Sequence, residues 1–202
     1  MAPSKRAAMM AANRARLIAA ARAAFAEHGF AAASMDDLTA AVGLTRGALY
    51  HNFGDKKGLL AAVVAQIDGE MAQRAQAAGQ TAGGGWRGLL AEGRAYIQMA
   101  LDPEIRRIVL LDGPAFLGDP SQWPSQNACL EVTQRAVAHL ITDGVLKPVD
   151  VEAAARLLNG AALNAALWVA SSQTPESVLP KAIEAFECLS EGLLARPDRS
   201  TS

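Results

Sequence analysis

Apolar residues recur at helical spacing along most of the chain. Leu17, Ile18, Ala21 and Phe25 form one stripe with Arg14, Arg16, Arg22 and Glu27 outside it, which predicts a helix over about 10–28. Gly29 suits the left-handed stop that follows such a helix. Ser34 is an N-cap type with Asp37 three residues on, and Met35, Leu38 and Val42 share a face, so a short helix is expected over about 35–42, ending at Gly43. After Leu44, Thr45 caps a second short helix over about 46–52, with Leu49 and Phe53 turned inward. Asp55 caps a fourth helix that starts at Lys56 and carries Leu59, Leu60, Val63, Val64 and Ile67 on its apolar side.

Residues 77–85, rich in Ala and Gly, read as a flexible loop. A phosphate-binding loop is excluded there, since no strand precedes and no Lys-Ser/Thr follows. Further helices are expected over about 86–101, 104–112, 121–143, 151–170 and 175–195. Asp102-Pro103 and Gly118-Asp119-Pro120 punctuate them, Phe116 falls in a loop, and Asp150 is a cap. No strand and no repeat emerges. The expectation is an all-α chain of nine helices.

Composition agrees with that picture. Half of the 202 residues are hydrophobic, enough for a sizeable core, and β-branched runs are scarce. Cys129 and Cys188 lack any metal or disulfide spacing and read as free thiols. His28, His51 and His139 lack the i, i+3 or i, i+4 partners of a helical metal site, so no metal and no cofactor is expected. The N-terminus alternates Ala with Arg and lacks the apolar run of a secretory signal; no uncharged stretch of about 18 apolar residues exists. No membrane span and a cytoplasmic location are therefore expected.

Charge changes the picture more. Residues 1–60 carry eight basic against four acidic side chains, a net of +4, while the remainder carries −5. A basic first third on an acidic body suits a polyanion-binding module joined to something else. Two short helices around a tight turn with Gly43 match a helix-turn-helix. In such a unit the second helix must be short, capped and exposed so that its first residues reach base edges. Arg46 can bridge two guanine acceptors or a phosphate, Gly47 allows close backbone approach, and Thr45, Tyr50 and His51 offer further donors. Lys56 opens the fourth helix, where a cation and unpaired backbone N–H groups favour a phosphate. Ser34 completes the expected DNA-binding set.

The stretch from Phe25 to Leu60 resembles the TetR family of bacterial repressors. The resemblance rests on Ser34-Met35-Asp36-Asp37-Leu38, on Ala41-Val42-Gly43-Leu44-Thr45-Arg46-Gly47-Ala48-Leu49-Tyr50, on His51-Asn52-Phe53 and on Asp55-Lys56. Where members commonly show a second aromatic or a histidine, this chain has Asn52. The resemblance implies a nine-helix fold with a DNA-binding head, taken as residues 1–65, and a ligand-binding and dimerisation body, residues 66–202. It further implies a homodimer formed through the last two long helices, where Ala153, Ala154, Ala161, Ala162, Ala165, Ala166 and Ala170 would permit close approach. A double-stranded DNA operator, palindromic because the protein is two-fold, is the implied partner. A small-molecule effector would shift the body, with the movement passing through the 104–116 segment into the fourth helix.

The body gives fewer handles. Tyr96, Met99, Phe116, Trp123, Asn159, Asn164 and Trp168, with Trp86, are unusual for a plain bundle core and form the candidate ligand pocket. Asn164 lies between Leu163 and Leu167 on an apolar helix and is expected as a buried amide. A hydrophobic or aromatic effector is expected. Two other readings stay open at this point: an adaptor or activator that keeps the head fold, and an α-helical enzyme. No nucleophile-elbow pattern supports the enzyme.

Overall fold

The computed structural model describes residues 5–195, and among them the chain is all-helical, with nine α-helices. These are α1 (Lys5–His28), α2 (Met35–Ala41), α3 (Arg46–Phe53), α4 (Lys56–Thr81), α5 (Gly85–Gln98), α6 (Gly113–Leu117), α7 (Pro124–Thr142), α8 (Val151–Ser171) and α9 (Pro175–Glu191). A π-helical segment, Ile105–Asp112, runs directly into α6. Short 3-10 turns, Met99–Leu101 and Pro120–Gln122, punctuate the remainder. No helix is long and apolar enough to cross a membrane among the described residues.

The chain divides into two compact units. One comprises the described part of Met1–Asp68 together with Pro103–Pro120; the other comprises Gly69–Asp102 and the described part of Ser121–Ser202. The unit that holds the helix-turn-helix is therefore discontinuous in sequence.

In the first unit, α1 buries Leu17, Ile18, Ala21 and Phe25, the stripe expected from the sequence. The helix starts earlier than expected, at Lys5. Residues 5–12 are exposed, so alanine's intrinsic propensity rather than packing carries that extension. Leu38, Leu49, Leu59, Leu60 and Val63 complete the local core. Ile105, Ile108, Val109 and Leu110 of the π segment are buried as well. That segment is tied to α1 and the loop after it. Arg22 pairs with Glu104, the Phe30 N–H donates to Asp112 Oδ2 at 2.8 Å, and the rings of Phe30 and Phe116 lie 4.5 Å apart. The 113–117 stretch, expected as loop, thus continues helically with Phe116 packed on Phe30.

In the second unit α8 is central, packed against α5, α7 and α9. Val137, Leu140, Leu146, Ala154, Ala155 and Leu158 form one cluster of its core. Helix α4 runs on to Thr81, so residues 77–81 are helix and not the expected loop; the break falls at 82–84. Close approach favours glycine at 79: a Cβ on it would lie 2.5 Å from Glu92 Oε1 of α5. Helix α9 ends at Glu191, and the chain beyond it turns back onto residues 145–147, with the Lys147 N–H donating to Leu193 O at 2.9 Å.

Candidate nucleic-acid interface

Two caps and one turn build the helix-turn-helix. Ser34 Oγ accepts from the Asp37 N–H at 3.3 Å, and Thr45 Oγ1 accepts from the Ala48 N–H at 3.2 Å. Each satisfies a backbone donor that a short helix would otherwise leave open. Between them Gly43 adopts φ 62°, a left-handed conformation that side chains with a Cβ resist, and Leu44 N–H closes the turn on Thr39 O at 2.9 Å. Thr39 is buried and its hydroxyl donates back to Met35 O or Asp36 O, so this polar group is satisfied within α2.

Helix α3 is two-faced. Leu49 is fully buried, with Ala48, Asn52 and Phe53 half-buried beside it. Arg46, Gly47, Tyr50 and His51 are exposed, and their spacing puts them on one face. Tyr50 is 51% exposed, a large ring left in water. A Cβ on Gly47 would meet only Thr45 Oγ1, at 3.7 Å, so no packing within the chain requires glycine there. Asn52, the departure from the resemblance, turns to its own helix and donates to Ala48 O at 2.7 Å.

Two basic residues on α1 brace this unit. Arg14 lies over the Phe53 ring at 5.0 Å, and Arg16 donates to Val42 O at 2.5 Å. Neither was singled out as an anchor in the sequence, because the contacts span 39 and 26 residues. Asp36 was missed as well: its Oδ1 lies 2.5 Å from Arg46 Nε. Lys56, expected as a phosphate ligand, has further contacts within the first unit. Its ammonium lies 4.6 Å over the Phe30 ring and donates to Ala31 O at 3.2 Å, and burial lowers its pKa from the ordinary lysine value. One of its donors is thereby committed to holding the α1–α2 loop.

Of the candidate pocket residues, Phe116 belongs to the first unit, packed on Phe30, and the other seven, Trp86 among them, to the second. Met99 and Trp123 are buried, and Tyr96 is half-buried. Asn159 accepts from the Thr133 hydroxyl at 2.9 Å, joining α7 to α8, and lines a surface recess of about 120 Å³ with Asn127, Leu130, Arg156 and Leu163. Asn164 and Trp168 are exposed on α8. The amide expected to be buried at 164 is exposed in the single chain. Of the seven α8 alanines expected at a subunit interface, Ala154, Ala162, Ala165, Ala166 and Ala170 are buried within the chain, where their size admits neighbouring helices, while Ala153 is exposed and Ala161 half-buried. Among the described residues no group of three or more His, Cys, Asp or Glu is placed to hold a metal ion.

Known proteins bear on this geometry. A family model described as bacterial regulatory proteins of the tetR family matches residues 17–63. One described as tetracyclin repressor-like, C-terminal domain, matches residues 86–193. The chain is 31% identical over 123 residues to the HTH-type transcriptional repressor AcnR of Corynebacterium glutamicum, covering 61% of this chain and 62% of that relative's length. It is 33% identical over 143 residues to AcnR of Corynebacterium diphtheriae, covering 69% and 72%. Among solved structures, a TetR-family transcriptional regulator from Pectobacterium atrosepticum is 50% identical with a TM-score of 0.85, covering 94% of this chain and 98% of that one. The chain belongs to the TetR family of bacterial regulatory proteins, which are transcription factors and not enzymes.

Proposed function

We propose that the chain is a transcriptional repressor that binds a palindromic double-stranded DNA operator as a homodimer through α3, and that a small hydrophobic or aromatic effector releases it. One observation carries the DNA reading. A capped helix presents Arg46, Gly47, Tyr50 and His51 together on an exposed face that no packing within the chain explains. Guanidinium, phenol and imidazole groups there match base-edge and phosphate acceptors, and Gly47 lets the backbone come close. Thr45 acts first as the cap and Ser34 as the cap of the bracing helix, while Lys56 has donors left for a phosphate beside its bond to Ala31 O. The AcnR relatives are named as repressors, which supports the direction of control.

The dimer reading draws on α8 and α9. Leu157 is 74% exposed and Trp168 49% exposed on one face of α8, with Leu189 of α9 72% exposed. Large apolar side chains left in water at helical spacing suit a second copy. The effector reading draws on the body: the Trp123 indole N–H is buried and finds no acceptor among the described residues, a donor suited to a ligand. Response would pass through the 104–116 segment into α4; Glu104 ties that segment to α1 and Asp112 ties it to the loop after α1.

Sequencing of duplexes selected by the purified protein tests the reading. A palindromic consensus with half-sites about one helical turn apart supports it. Recovery of no consensus, or of a single half-site, contradicts it. Operator affinity with and without a bound effector tests release, and equal affinity at saturation rejects it.

A further inference from the structure

We propose that Asp36 is a positioning residue for sequence reading, holding the Arg46 guanidinium so that its two terminal nitrogens face one guanine. The inference rests on α3 being the DNA-contacting helix. It starts from the 2.5 Å approach of Arg46 Nε to Asp36 Oδ1, between the first turn of α3 and the first turn of α2. The two side chains are 59% and 65% exposed. A pair so exposed adds little to stability, so stability alone does not account for an acid at this place.

Geometry does. Arginine carries five N–H donors in one plane. A carboxylate on Nε, at the stem, leaves both terminal nitrogens available. Those are the two that bond side by side to O6 and N7 of guanine. The contact also fixes the rotamer before DNA arrives, which removes an ordering cost at binding. Charge points the same way. An isolated carboxylate on a face that meets a polyanion opposes binding at every sequence. Paired with Arg46, it weakens undirected attraction to phosphates while leaving the directional base contact intact. Asp36 is not needed as the cap of α2, since Ser34 Oγ already takes the Asp37 N–H.

The test uses the full chain and its Asp36→Ala, Asp36→Asn, Arg46→Ala and Asp36→Ala/Arg46→Ala variants. Each is presented with a pool of random-sequence duplexes and, separately, with one unrelated duplex of fixed sequence. Arg46→Ala is expected to flatten the base preference at one position of each half-site. Asp36→Ala is expected to flatten the same position by about tenfold, with affinity for the unrelated duplex unchanged or higher. The double variant is expected to be no flatter than Arg46→Ala alone. Thermal melts show which variants are folded, and Asp36→Asn, which keeps the side-chain shape, provides the comparison if Asp36→Ala does not fold. If Arg46→Ala flattens a position and neither Asp36 variant does, Asp36 has no positioning role and the DNA reading stands. If Arg46→Ala alters no position, base reading by Arg46 itself is wrong and the inference goes with it.

Discussion

Arg22 of α1 and Glu104 face each other fork to fork, with Nε donating to Oε1 and Nη2 to Oε2, both at 2.7 Å. Their side chains are 23% and 30% exposed, so the pair is only partly screened by water. It fastens the start of the Pro103–Pro120 segment to the helix that braces the helix-turn-helix. Glu104→Gln keeps the shape and removes the charge. Its expected cost is about 1 kcal/mol, seen as roughly fivefold faster amide exchange across residues 105–117. Unchanged exchange there would mean that the apolar contacts of Ile105 and Ile108 hold the segment without the ion pair.

Two glycines of α4 are expected to respond in opposite directions. A Cβ at Gly58 would lie 1.9 Å from Phe53 O, a backbone atom that cannot step aside, because α4 starts hard against the end of α3. Gly58→Ala should cost about 1–3 kcal/mol in denaturant unfolding. Gly69 meets nothing within 4 Å, so Gly69→Ala should gain about 0.5–1 kcal/mol through helix propensity.

Glu92 gives a pH-dependent outcome. Burial against α4 raises its pKa from the ordinary glutamate value. Below the unfolded pKa both states are protonated and no penalty exists. As pH rises through that value toward the folded one, the unfolded chain ionises first and stability falls. Glu92→Gln should therefore melt higher than the parent at pH 7 and converge with it near about pH 4. A variant that melts lower at pH 7 would show the carboxylate to be held by favourable contacts instead.

Much of the first unit was legible because its signals are local. Ser34 and Thr45 sit three residues from the N–H groups they cap, and the α1 stripe is a simple period. What was not legible depends on distant residues. Lys56 also turns onto Phe30 and Ala31, some 25 residues earlier, a contact that its helix-start position could not show. The 104–112 stretch has an apolar pattern that fits α and π winding alike, and its π form appears only in three dimensions. Residues 77–81 looked like a loop because small residues mark both linkers and close helix contacts. On α8 most of the alanines pack inside the chain while Leu157 and Trp168 face out, a division that depends on which neighbouring helices cover each face.

The exposed Leu157 makes the dimer testable. Leu157→Arg should leave the chain folded, since the position is already in water, yet shift it to a monomer in sedimentation velocity and weaken binding to a two-half-site duplex by about a hundredfold. A charged residue at 157 that leaves the sedimentation coefficient unchanged would exclude this face as the interface.

DNA reading by the exposed face of α3 is tested by titrating the selected duplex with the parent chain, Arg46→Ala and Tyr50→Ala, each at several salt concentrations. Each substitution is expected to weaken binding by about tenfold or more while the fold and oligomeric state are kept, with affinity falling steeply as salt rises. Binding by both variants at the parent's affinity across the salt series would contradict it.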